Sequence, residues 1–71
     1  MNRQETILVE MYLRRTFRTD GISVKPPKKP TDPAEVWING EFIGTLYRDE
    51  EDGEISYDFN MTILDVDLPA T

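Results

Sequence analysis

The chain contains no cysteine and no histidine in its 71 residues. The first absence excludes disulfides and thiolate metal sites. Together they exclude Ser-His and Cys-His nucleophilic catalysis and the usual zinc ligand sets. Long apolar runs are missing as well, and nothing approaches the roughly 20 apolar residues that a membrane span needs. The opening stretch "MNRQETILVEMYLRR" has too short an apolar core for a signal peptide and is broken by Glu10. No glycine-rich phosphate loop or nucleotide fingerprint occurs. These gaps predict a cytoplasmic protein off the membrane, a single small domain over residues 1–71, with no catalytic residue, metal or cofactor.

The charges present are unevenly placed. Residues 1–30 carry Arg3, Arg14, Arg15, Arg18, Lys25, Lys28 and Lys29 against Glu5, Glu10 and Asp20, a balance of +4. Residues 31–71 carry Arg48 alone against eleven carboxylates, a balance of −10, and the whole chain is at −6. Such polarity suggests association with a complementary surface, although an acidic solvated exterior serving solubility is the more common reading.

Periodicity predicts a helix over about residues 2–18. Val9, Tyr12, Leu13, Thr16 and Phe17 fall at i, i+3, i+4, i+7 and i+8, one helical stripe. Ile7, Met11, Arg14 and Arg18 lie on the opposite face, part apolar and part cationic. Gly21 is the predicted left-handed terminator. Ile22-Ser23-Val24 reads as a short strand, and the proline- and lysine-rich stretch 25–33 as an exposed, semi-rigid connector.

From residue 34 to 68 the pattern is that of a β-meander. Asn39-Gly40 is a strong hairpin signal, and a two-residue turn there sets Ile38 opposite Glu41, Trp37 opposite Phe42, and Val36 opposite Ile43. Strict alternation then places Val36, Ile38, Ile43 and Tyr47 on one face, with Trp37, Phe42 and Leu46 on the other. The next strand alternates Ile55, Tyr57, Phe59 and Met61 inward. The phase flips at Ile63-Leu64, which predicts a bulge or break before Leu64, Val66 and Leu68.

The acidic run "RDEEDGE" lies between two of these strands, with Gly53 at the position best suited to positive φ. An EF-hand frame with Gly53 sixth puts Arg48 first and Phe59 twelfth, so the calcium pattern fails at both ends. The run reads as a turn.

Three ordered stretches, "YLRRTF", "EFIGTLYRDE" and "MTILDVDL", resemble a family of small uncharacterised proteins, a domain-of-unknown-function family found mainly in alphaproteobacteria. Its pattern is a helix ending in a Y-L-R-R-x-F type run, then E-F-I-G-x-x-Y/F-R-D-E-D-E-G, then a closing I-L-D-x-D-L. The likeness runs from Met11 to Leu68. The chain departs from that pattern in its longer "PPKKPTDP" connector and in Trp37, where tyrosine is expected. The resemblance implies lineage and no activity.

The fold predicted is α+β, one N-terminal amphipathic helix packed on an antiparallel meander of three or four strands. A helix cannot cover apolar residues on both faces of such a sheet, which points to self-association or a protein partner. The expected function is a non-enzymatic interaction module, a homodimer or a small subunit or adaptor of a larger assembly. The candidate partner-binding residues are Ile7, Met11, Arg14, Arg15, Arg18, Trp37, Phe42 and Leu46. The alternative is a nucleic-acid role, either weak RNA binding by the basic half or mimicry by the acidic half. The overall acidity opposes the binding form.

Overall fold

A computed structural model describes residues 1–70. Helix α1 (Arg3–Phe17) is followed by strands β1 (Ile22–Lys25), β2 (Ala34–Ile38), β3 (Glu41–Glu51) and β4 (Glu54–Asn60), then a short 3₁₀ helix (Asp65–Asp67). The four strands form one antiparallel sheet in chain order. The fold is α+β, a helix on a meander. The molecule is elongated, 46 × 23 × 23 Å, because the long β3–β4 hairpin projects past the shorter β1 and β2.

Local chemistry explains the helix ends. Asn2 caps α1 by accepting from the Glu5 N–H at 2.7 Å, and the Glu5 carboxylate accepts from the Asn2 N–H at 3.1 Å. This reciprocal box satisfies two otherwise unpaired donors. At the other end Arg18, not Gly21, takes the left-handed conformation, with φ 55°. Its N–H and that of Thr19 reach back to the Arg14 and Arg15 carbonyls, so the helix stops three residues before the glycine.

The buried line of α1 also differs from the predicted stripe. Thr6, Val9 and Leu13 are buried, whereas Tyr12, Thr16 and Phe17 are exposed. Polar anchors on either side set this rotation. Glu10 and Arg14 are held at β1, and Glu5 is held at β3 and β4, leaving Thr6, Val9 and Leu13 to point down between them. Against that line pack Ile22, Val24, Ala34, Val36 and Leu46, which complete the core.

Both long hairpins use primed two-residue turns, with positive φ at Asn39 (48°) and Gly40 (82°), and again at Asp52 (53°) and Gly53 (81°). The first turn gives Ile38 opposite Glu41 and Trp37 opposite Phe42, as its length requires. Val36, however, pairs with Gly44 and not Ile43, because the register shifts between Val36 and Trp37. Ile43 is the extra residue of a β-bulge, and it reverses the facing of everything after it on β3. Leu46 therefore lies on the helix side, 2% exposed, and is not grouped with Trp37 and Phe42. Tyr47 moves to the outer face, opposite Asp58.

The chain after β4 is the other departure. Strand pairing ends at Asn60, so Met61 lies outside the sheet and is exposed, as is Ile55. Residues 61–64 are irregular and Asp65–Asp67 form the 3₁₀ turn. Leu64, Val66 and Leu68 form no closing strand and are exposed. Alternation alone does not make a strand: the pairing with β3 ends at Thr45 and Asn60, although β3 itself continues to Glu41.

Candidate functional site

The helix packs mainly against β1, and this leaves part of the sheet uncovered. Its middle and C-terminal half lies over β1, while its N-terminal turn reaches the β3–β4 hairpin through one carboxylate. Glu5 accepts from the Tyr57 hydroxyl at 2.6 Å and from Arg48 Nε at 2.7 Å. Arg48 also pairs with Glu50 at 3.3 Å. Between that anchor and Leu13 runs an open groove of about 470 Å³, lined by Leu8, Val9, Tyr12, Leu13, Leu46, Tyr57 and Phe59 with Glu5 at one end. Its floor is half-buried Phe59 and buried Leu46; its rim is Leu8 and Tyr12, both more than half exposed.

The Glu5 anchor has a pH signature. Hydrogen bonds from Tyr57, from the Asn2 backbone and from Arg48 hold its carboxyl at about 2, against an ordinary 4.5. The same contact with Glu5 raises the pKa of Tyr57 and that of Arg48. A carboxyl depressed in the folded state contributes stability that is full above its unfolded value. That stability should be lost progressively as pH falls from about 4.5 towards about 2. Glu5→Gln is expected to lower the denaturation midpoint at pH 7 and to flatten the acid limb of stability. An acid limb as steep as the wild type's would show that Glu5 does not carry the linkage.

The candidate residues do not form one surface. Ile7, Met11, Arg15 and Arg18 lie exposed on the outward side of α1. Arg14 is tied down: its Nε donates to the Ile22 carbonyl at 2.8 Å and it pairs with Glu10 at 3.3 Å. Trp37 and Phe42 stack edge to face on the outer sheet face, 5.7 Å between centroids. Lys25 sits 3.8 Å over the indole, and Trp37 Nε1 donates to Glu35. Charged neighbours thus trim that aromatic pair, and Tyr47 is the other large ring exposed on that face. Leu46 belongs to the core.

Helical periodicity gives Leu8 no role and sets Tyr12 in the buried stripe, whereas both are more than half exposed at the groove rim. The signal was present in the Asn2-x-x-Glu5 box, which fixes the helix start and brings Glu5 round towards the sheet. The stretch "RDEEDGE" is strand, primed turn and strand, with Glu51 opposite Glu54.

The chain matches, over residues 5–67, the family described as "Protein of unknown function (DUF3126)". That is nearly its whole length, and the chain belongs to this family. No curated protein and no solved structure matches it. Among the described residues no helix is long and apolar enough to cross a membrane.

Proposed function

We propose that this chain is a non-enzymatic, cytoplasmic protein-interaction module that presents the groove between α1 and β4 to a protein partner. The observation that carries the reading is the uncovered apolar flank. Leu8 and Tyr12 are about half exposed above a floor of Leu46 and Phe59. Contiguous apolar surface on so small a domain is what a partner surface covers. Four of the eight cationic side chains are engaged within the fold, with Arg14 on β1, Arg48 on Glu5, Lys25 on Trp37, and Arg15 over the Tyr12 ring at 5.9 Å. The net charge of −6 opposes phosphate, so protein is the better-supported partner than nucleic acid.

A photo-crosslinking phenylalanine analogue in place of Tyr12 tests this in the native cell. The exposed ring tolerates the exchange, and a discrete protein adduct is expected from position 12 but not from position 47 on the outer face. No adduct from position 12, or the same smear from both, would refute the reading.

A further inference from the structure

The two edges of the sheet are treated differently. On β1 the outward-facing backbone is blocked by a salt-bridged pair from the helix: Glu10 accepts from the Val24 N–H at 2.9 Å, and Arg14 donates to the Ile22 carbonyl at 2.8 Å. Pro26 and Pro27 follow directly. On β4 nothing comparable exists among the described residues. Its seven residues pair regularly with β3 and contain no proline, lysine or bulge. No side chain or loop there bonds its outer backbone. Such an edge is a template for another strand.

We infer that β4 pairs antiparallel with β4 of a second copy about a two-fold axis at Tyr57, joining two sheets into one of eight strands. This rests on the proposed interaction role and names the partner. The register follows from the charges. A two-fold axis normal to the sheet keeps each face continuous, so it must pass through a residue. Centred on Ser56, it would set Glu54 against Asp58; centred on Asp58, it would set that carboxylate against itself. Like charges directly opposite are destabilising. Centred on Tyr57, it sets Glu54 opposite Asn60 and Ser56 opposite Asp58 on the outer face. The helix side then has Ile55 opposite Phe59 and Tyr57 opposite Tyr57. Of the three registers with the longest overlap, only this one sets no like charges directly opposite each other. It also brings together the grooves of both copies and covers Ile55, half exposed at the open edge.

The cysteine-free chain allows a test of position. Ser56→Cys and Asp58→Cys, both at exposed sites, are prepared separately, mixed at tens of micromolar and mildly oxidised. Directly opposed residues sit about 4.5–5.5 Å apart between Cα atoms, within the span of a disulfide. The mixture should give a disulfide-linked dimer. Each variant alone should give at least about tenfold less, since like thiols lie on the diagonal at roughly 7–8 Å. Ser56→Asp, which opposes carboxylates at two symmetric points, should weaken dimerisation in sedimentation by roughly tenfold. Equal crosslinking in single and mixed samples, or an unchanged Ser56→Asp dimer, would overturn the register. A wild type monomeric at all concentrations would overturn the pairing. A discrete adduct with a different protein from position 12 would in that case leave the interaction reading standing, whereas no adduct would remove both.

Discussion

Leu46→Ala is expected to destabilise the fold by about 2–5 kcal/mol, the usual cost of truncating a buried leucine. A domain of this length holds roughly 4–10 kcal/mol in total, so the variant should be largely unfolded on gentle warming. The size of the effect depends on the bulge at Ile43. Strict alternation would put Leu46 on the outer face beside Trp37 and Phe42, where the same truncation would be mild. With the bulge, Leu46 sits opposite Ala34 and Phe59 under the helix, 2% exposed. Tyr47→Ala, one residue further on and on the other face, should cost roughly 1 kcal/mol or less. Denaturation midpoints of the two variants side by side would decide the phase of β3. A Tyr47 effect larger than that of Leu46 would place the bulge wrongly.

Gly44→Val should cost about 1–3 kcal/mol, although valine is the better strand former by propensity. Gly44 needs no unusual backbone angle; it is needed for space. A Cβ there would come within 2.4 Å of the Asn60 carbonyl oxygen and 2.6 Å of the Phe59 ring. The carbonyl belongs to the last residue of β4, so the strand end must move away, and Phe59 would shift from the groove floor with it. Gly44→Ala carries the same offending atom and should already show most of the loss by chemical denaturation. A valine variant as stable as wild type would mean that β3 and β4 diverge before Asn60.

Much of the architecture was legible because local chemistry and tertiary packing agree. Asn39-Gly40 and Asp52-Gly53 supply the positive φ that tight hairpins require, and both turns lie where the sequence puts them. The misreadings arise where a distant group decides. The rotation of α1 is set by Glu5 reaching Tyr57 and Arg48, 52 and 43 residues away, and by Glu10 and Arg14 reaching β1. Helical periodicity cannot see such anchors, so Tyr12 looked buried. The bulge left only a glycine as its trace, Gly44 following the extra Ile43, and a strand glycine marks either a bulge or a close approach. Here it marks both. In the tail, Leu64, Val66 and Leu68 alternate as a strand would but have no partner strand. Of the candidate contact residues, Ile7, Met11, Arg15 and Arg18 are accessible on the outward helix face, Arg14 and Leu46 are structural, and the groove rim lies a quarter-turn away at Leu8 and Tyr12.

The Leu8–Tyr12–Phe59 flank is the proposed contact surface between protein chains. The most direct measurement is the native mass of the tagged chain isolated from its own cells, beside that of Leu8→Lys. Leu8 is half exposed and outside the core, so the variant should fold with an unchanged melting temperature. The wild type should carry a stoichiometric companion, a second copy or another protein, and Leu8→Lys should run alone at 8.3 kDa plus its tag. A wild type that also runs alone, or a variant that keeps the companion in full, would contradict the proposed contact.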